Sequence, residues 1–513
     1  MKLLLTTISL LTCFSAHAEN VRLIATPSEP VSQQSTGQHK VIYNTFSVPE
    51  EKAQERIREL MDTGLYRAVE IDMVTSSITV SATLADSAPK YYPPFSDPAY
   101  GYQTYLMSSS EHMTGMGATE AQSYLIPYRP MTVGVIDSEF EDIMDIPFTN
   151  GISMVEGEDD VWEPACAGRH GVMVSSLIAS SRNNGVGMAG MTDVDIVPVR
   201  AMTCGSGYSS HSANGIYYLS GAEVNGVPGL EEPVSVINMS LGGEHPCSVH
   251  TQSAINYATS KGITVVVSAG NEAIDASRVS PANCEGVISV GALAEGDSRM
   301  ELSYFSNFGD TVDVSAMGSD VFALYNDDTA YLVSGTSFSA PLTSGVVTMA
   351  RQLLPEESPD MIKWLVKRTA TPFPDGHDCL SVGCGSGITN ALALTQQADR
   401  ISQSGYGTIA PLLKNPRFCD SDKAYALNNE ALPQICGIYE LSLNVNLREG
   451  EKGVVYHRVS GEITRVSETR SGKSRIDKPE EDGDYLFKVC DSEENCSPAM
   501  RINIDTDIPE ICQ

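Results

Sequence analysis

Two rhythms of apolar residues divide this chain. Near the N-terminus, Val41–Phe46 reads as a strand. Pro49–Met61 carries Ala53, Ile57 and Leu60 on one face and stops at Gly64, the pattern of an amphipathic helix with a glycine after its last turn. Leu65–Val74 and Ile78–Leu84 read as further strands, so residues 19–91 form a small α+β unit, while the polar stretch Asn20–Gln38 reads as loose chain. The Pro- and Tyr-rich passage Tyr91–Pro98 has the composition of an exposed, cleavable linker.

From Met131 the rhythm changes. Thr132–Ile136, Ile196–Val199, Val234–Met239, Thr264–Ser268 and Val287–Val290 are short apolar runs, as expected of strands buried on both faces. Between two of them, Val249–Lys261 sets Ala254 and Ala258 one turn apart and ends at Gly262, so it reads as a helix. The alternation predicts an α/β domain over residues 92–400, a parallel sheet with helices on both faces and its site at the carboxyl ends of strands. The domain closes with a helix at Asn390–Ala398. Beyond Gly405 the period is two: Tyr439–Leu447, Tyr485–Val489 and Met500–Ile504 read as half-buried antiparallel strands. Residues 401–513 are therefore expected to form a small β-sandwich centred on Cys419–Cys512.

Composition narrows the setting. With 33 Lys+Arg against 65 Asp+Glu the net charge is −32, which argues against nucleic-acid backbones and anionic membranes as partners. A basic start, an apolar run to Phe14 and Ser15-Ala-His-Ala18 make residues 1–18 a signal peptide, with cleavage expected after Ala18. A lipoprotein reading through Cys13 is weaker, because Thr12 is bulky for that position. No later segment reaches the roughly 18 uninterrupted apolar residues of a membrane span. Twelve cysteines without zinc-type spacing suit disulfides in an oxidising compartment, so the chain is expected outside the cell, with a Gram-negative periplasm as its route.

Four local motifs carry candidate chemistry. Val133-Gly-Val-Ile-Asp137 ends a buried strand on a carboxylate; Gly168-Arg-His170 precedes a helix bearing Val174, Leu177 and Ile178; Val265-Val-Val-Ser-Ala-Gly-Asn271 ends a strand on an amide; and Gly335-Thr-Ser337 opens a run of small and apolar residues. Taken singly, each reads as a turn residue or a helix cap. Together they supply what acyl transfer needs: Ser337 to attack, His170 to take its proton, Asp137 to hold the imidazole tautomer, and Asn271 to donate to an oxyanion.

In that order, and with Asn183-Asn-Gly-Val-Gly-Met-Ala-Gly190, Ile237-Asn-Met-Ser-Leu-Gly-Gly243, Ser268-Ala-Gly-Asn271 and Gly335-Thr-Ser-Phe-Ser-Ala-Pro341, the stretch from about Tyr92 to Ala398 resembles a subtilisin-like serine protease of the secreted, disulfide-containing bacterial branch. The resemblance implies that Ser240, Leu241, Gly242 and Gly243 form an edge strand for substrate backbone and that Ala269 and Gly270 wall the first specificity pocket. It also implies disulfides Cys166–Cys204, Cys247–Cys284 and Cys379–Cys384, leaving five C-terminal cysteines unassigned. A structural Ca²⁺ would be wrapped by Arg182, Asn184, Val186 and Met188, with Gln103 and Asp145 or Asp142 as outer oxygens; the bland reading of Asn183-Asn184-Gly185 is a turn. Residues 19–91 would be an inhibitory propeptide that assists folding and is removed by the enzyme itself. The chain departs from the family pattern at Glu139, Val172, Met173 and Ser176.

The resulting expectation is a monomeric, secreted, self-processing serine endopeptidase acting on proteins and peptides. A competing expectation is a catalytically silent protein that binds a surface through its C-terminal β domain. A lipase or esterase is disfavoured, since Ser337 lacks a Gly-x-Ser-x-Gly elbow and the order of the triad is wrong. Asp275, in the pocket loop, hints at a basic residue before the scissile bond.

Overall fold

The structure, a computed structural model, describes residues 20–28, 40–41, 43–77, 80–84, 97–125, 131–163, 166–297 and 299–403, and beyond these the backbone of strands between 411 and 505. The signal peptide, most of the Tyr91–Pro98 linker and Cys419, Cys496 and Cys512 lie outside the described residues.

An eight-stranded sheet forms the centre of the molecule. Its middle strands, Val287–Glu295, Thr264–Ser268, Val236–Met239, Thr132–Asp137 and Asp195–Arg200, lie side by side and run parallel. Because side chains alternate across a strand, each run feeds two cores at once. Val266 packs on one face with the helices His170–Ala179 and Thr336–Leu353; Val265 and Val267 pack on the other with Ser209–Leu219 and Val249–Ser260. Gly134 lets the second layer close, since a Cβ there would meet Leu219 Cδ1 at 2.4 Å. The expected three-layer α/β architecture is thus observed. The helix Ser209–Leu219 has no periodic signature in sequence because every residue in it is buried.

The N-terminal unit differs from expectation in one respect. Asn20–Pro27, read as loose chain, is the central strand of a three-stranded sheet, flanked by Asn44–Pro49 and Tyr66–Ile71. Leu23, Ile24 and Ala25 within it are fully buried, and this short apolar core outweighs the polar residues around it. The helix Ala53–Asp62 packs Leu60 toward Ala25 and Val69. The long strand expected at Leu65–Val74 breaks at Asp72, whose carboxylate turns into the neighbouring domain.

There the unit meets two helix N-termini. Asp72 accepts Ser210 N–H (3.0 Å) and Ser210 Oγ–H (2.6 Å) at the start of Ser209–Leu219. Glu70 accepts Val249 N–H (3.2 Å) and His250 N–H (3.0 Å) at the start of Val249–Ser260. First-turn amides have no partner within their own helix, so a carboxylate there both bonds and meets the positive end of the dipole. Arg22 pairs with Asp72 at 3.1 Å and with Glu156 at 2.8 Å, and stacks over Tyr208.

The C-terminal region holds two sheets whose strands include Glu440–Asn444, Gly483–Cys490 and Met500–Asp505, in line with the period-two pattern. Among the described pairings the strands there are antiparallel, except that Ile435–Cys436 runs parallel to Met500–Asp505.

Candidate active site

Asp137 ends the strand Thr132–Asp137 with its side chain fully buried. Its Oδ1 accepts Ser138 N–H at 2.7 Å and faces His170 Nδ1 at 2.7 Å. His170 opens the helix His170–Ala179, and its ring lies 5.5 Å from that of Phe338. A carboxylate against Nδ1 keeps the proton there in the neutral ring, so Nε2 is the basic nitrogen. Nε2 is buried and makes no hydrogen bond among the described residues.

Ser337 is the second residue of the helix Thr336–Leu353, entered through Gly335 at φ 153°. Its Oγ donates to Ser240 O at 3.3 Å. The same residues meet a second time. Pro341 has no N–H to bond the Ser337 carbonyl four residues back, and Ser240 Oγ donates to that carbonyl at 2.8 Å instead. Ser240 Oγ accepts from Asn238 Nδ2 (3.0 Å), and Asn238 Oδ1 accepts from Ser344 Oγ (2.8 Å). These four residues, all buried, lock the nucleophile's backbone to the strand Val236–Met239.

Asn271 is aimed by its neighbour across the site. Thr336 N–H (2.8 Å) and Thr336 Oγ (2.9 Å) both donate to Asn271 Oδ1, which leaves Nδ2 as the amide's donor. Gly270 N–H donates to Thr336 Oγ at 3.1 Å. Asn307, buried, folds the pocket loop: its Oδ1 accepts from Glu272 N and Ile274 N, and its Nδ2 donates to Ala269 O. Gly270 must be glycine, with φ +103° and Asn307 Nδ2 2.2 Å from where a Cβ would stand. Asp275 is exposed and accepts Ser277 N–H at 2.9 Å; that bond holds its carboxyl below the usual range. It caps the turn Ala276–Arg278 and stays an exposed anion in the pocket loop.

Of the expected substrate-binding residues, Gly242 pairs with Ser76 of the N-terminal unit, while Gly243 belongs to a short ladder with Ser280. The pairs Cys166–Cys204, Cys247–Cys284 and Cys379–Cys384 are all formed, with Cα separations of 5.3, 5.3 and 5.0 Å. Glu139, a departure from the family pattern, is buried and accepts Cys204 N–H beside the first disulfide. Ser176 Oγ donates to Met173 O (2.8 Å) and accepts Leu324 N–H (3.2 Å), while Val172 and Met173 are buried, so these departures are packed and bonded. Arg200, one place past the sheet register of Ile136, is buried and donates to Glu163 O at 2.7 Å while pairing with Glu158 at 2.9 Å.

The loop after the histidine helix gathers around two buried carboxylates. Asp97 accepts Asn183 N–H (2.9 Å) and Asn184 N–H (3.1 Å); Asp145 accepts Asn184 Nδ2 (2.7 Å) and Met188 N–H (3.1 Å). Burial pushes the Asp145 carboxyl up to about 6. Asp142 is exposed, so the choice between the two falls on Asp145. Arg182 turns its guanidinium to Asp193. Gln103 spends its amide on Ala189, whose N–H it accepts at 2.8 Å, and on Tyr105.

Sequence reading missed Thr336, Asn238, Ser344, Asn307 and Arg200. A proline inside an apolar helix was a readable signal for the first group, because some donor had to replace its missing N–H.

A buried carboxylate–imidazole pair and a serine at a helix N-terminus, on the carboxyl edge of a parallel sheet, are the parts that a nucleophilic serine site needs. The Subtilase family (Peptidase S8) profile matches residues 129–407, and the chain belongs to that family. It is 40% identical over 238 residues to an extracellular protease of Xanthomonas campestris pv. campestris, covering 45% of this chain and 40% of that one. It is 36% identical over 236 residues to an extracellular basic protease of Dichelobacter nodosus, covering 44% and 38%. The matched stretch thus spans well under half the length of both relatives. Among solved structures, one described as proteases from Pseudoalteromonas arctica aligns with TM-score 0.52 and 30% identity over 60% of this chain and 100% of that chain.

Proposed function

We propose that this chain is a secreted, self-processing serine endopeptidase. The observation that carries the reading is the 2.7 Å contact of His170 Nδ1 with Asp137, which leaves Nε2 as the basic nitrogen and supports its role as the base for Ser337. In the proposed cycle Ser337 Oγ attacks the scissile carbonyl and its proton passes to Nε2. Asn271 Nδ2 and the Ser337 N–H stabilise the oxyanion, and His170 protonates the leaving amine. Water then cleaves the acyl-enzyme with His170 again as base. Protein and peptide backbones are the substrate class, bound by addition to the strand edge at Gly242.

The zymogen reading is supported by Glu70 and Asp72. Each caps a helix of the catalytic domain, and a cap is worth about 1 kcal/mol. A unit that supplies two such caps assists folding and stays bound until it is removed.

A structural calcium ion fits the loop 182–188. Asp97 and Asp145 are buried side by side with no cationic partner among the described residues, an arrangement that favours a divalent cation. Asp145, Asn184 and the carbonyls of Arg182, Val186 and Met188 would hold it, while Gln103 serves as a strut to Ala189. The ion would neutralise the buried carboxylates and stiffen the loop, outside the reaction.

Labelling with a fluorophosphonate tests the reading. The processed chain is expected to react at Ser337 and digest casein, and Ser337→Ala to do neither. An unlabelled, inactive wild type would leave the surface-binding alternative through the C-terminal β domain.

A further inference from the structure

The N-terminal unit seats one aromatic side chain against the layer of helices that lies across the sheet from Thr336–Leu353. Lys40–Val41 pairs in parallel with Glu223–Val224, and Tyr43, just beyond, is buried. Its hydroxyl oxygen accepts from Asn214 Nδ2 and, at 3.1 Å, from Asn225 Nδ2. Its ring lies 4.9 Å from that of His250, which in turn lies 6.1 Å from that of Tyr217. Asn214 and Tyr217 belong to the helix Ser209–Leu219 and His250 to Val249–Ser260.

The catalytic domain builds this slot, and Tyr43 only fills it. Asn214 stands inside a buried helix, where asparagine is a weak helix former and a buried amide needs a partner. Asn225 sits at φ 49°, in a turn closed by Val224 N–H to Val227 O (2.8 Å) and Val227 N–H to Val224 O (2.9 Å). Asparagine is among the few residues with a side chain that take this conformation readily, so the turn presents the second amide without help from Tyr43. Two amide donors meeting one oxygen beside an aromatic wall select for a phenol. A bare ring would leave the buried donor of Asn214 unpaired, and an aliphatic hydroxyl would leave the wall uncovered. Two more polar atoms are unspent: Asn214 Oδ1 and His250 Nε2 are buried and make no hydrogen bond among the described residues. With Tyr43 withdrawn, the slot is thus a set of unpaired polar atoms held by two helices and a closed turn.

We propose that the slot is a tyrosine-binding site of the catalytic domain, separate from the serine site. In the whole chain it holds Tyr43. In the enzyme freed of its N-terminal unit it takes a tyrosine side chain of a polypeptide substrate, whose preceding backbone pairs with Glu223–Val224 as Lys40–Val41 does. This second role rests on the self-processing reading. A polypeptide is the fitting occupant because the seat offers a strand edge as well as a phenol slot. Binding there touches no reacting atom, so it lowers KM and leaves kcat unchanged.

The first experiment leaves processing out. In the full chain carrying Ser337→Ala, Tyr43→Ala empties the slot. Phenol, the group removed, should bind and raise the melting temperature, while benzene should bind about tenfold or more weakly. Asn214→Leu added to Tyr43→Ala should erase that preference. Equal binding of phenol and benzene, or binding of neither, overturns the proposal. Where Tyr43→Ala does not fold, Tyr43→Phe and Asn214→Leu are compared singly and together by melting temperature. Their losses should be strongly non-additive, and additive losses overturn the proposal. The second experiment uses processed enzyme with Ser337 blocked by a fluorophosphonate. N-acetyltyrosinamide should bind about tenfold or more tightly than N-acetylphenylalaninamide. A preference that survives Asn214→Leu belongs to the serine site and overturns the substrate role. A chain that never loses its N-terminal unit sinks self-processing and the substrate role together, while the phenol result still decides the slot.

Discussion

Ser240 and Ser337 are tied by two hydrogen bonds running in opposite directions: Ser337 Oγ donates to Ser240 O at 3.3 Å, and Ser240 Oγ donates to Ser337 O at 2.8 Å. The second bond exists because Pro341 cannot supply the usual helix donor. Ser240→Ala should therefore leave a buried carbonyl unbonded, at about 1–3 kcal/mol in stability. We expect a lower melting temperature and a kcat reduced on the order of tenfold with little change in KM. Unchanged kcat would limit Ser240 to a backbone role.

Thr336 is expected to act on catalysis through Asn271, whose Oδ1 it bonds. Asn271→Ala should lower kcat on the order of 10²–10³, the range known for this donor in the subtilisin fold. Thr336→Val keeps the shape but loses the hydroxyl that bonds Asn271 Oδ1, and should show part of that loss. Because both act on one donor, the double variant should be little worse than Asn271→Ala alone. Additive losses would separate the two residues.

Docking of the N-terminal unit should depend on pH through His250. Burial, and secondarily Arg67, push this imidazole down to about 4; its ring lies 4.9 Å from Tyr43 of the N-terminal unit and 6.1 Å from Tyr217, while Glu70 takes its backbone N–H. The docked form binds its proton more weakly than a solvated histidine near 6.5, so docking is fully supported above that value and weakens as pH falls toward 4. Affinity of the released fragment for the mature enzyme should drop on the order of tenfold between pH 7.5 and 5. His250→Gln should flatten the part of the profile that Glu70 and Asp72 do not cause.

Glu70→Gln and Asp72→Asn should each weaken that fragment as an inhibitor by about 1 kcal/mol, roughly fivefold, since each removes charge from a helix N-terminus. Inhibition titrations with the separate fragment measure this. Asp72→Asn should lose more, because Arg22 also loses its partner.

Chelation of calcium should lower the melting temperature of the mature enzyme by about 5–10 °C. Asp145→Asn should remove the response to calcium while leaving Ser337 reactive to a fluorophosphonate. A melting curve indifferent to chelator would reject the ion.

Much of this was legible because strong local patterns dominated. The buried strands, the histidine helix and the Gly335-Thr-Ser337 turn each carry their signal within a few residues. What escaped was set by partners far away in sequence. Asn20–Pro27 is a strand because it lies between two others, and Asp72 breaks a strand to reach a helix over a hundred residues on. Asn307 and Asn238 read as ordinary polar positions until the loops they bond are folded around them. Asp275 is the opposite case, since its cap bond to Ser277 N–H is purely local.

The strand Ser81–Leu84 lies on the edge of Thr329–Ser334, so the N-terminal region is held at the site by its own connectivity. On the self-processing proposal, enzyme and substrate arrive as one molecule, so the local concentration of the N-terminal segment at the nucleophile would be fixed by tethering and not by protein concentration. Activation would then be a first-order clock that dilution cannot slow, and every later substrate would have to reach by collision what the N-terminal segment was given by connectivity.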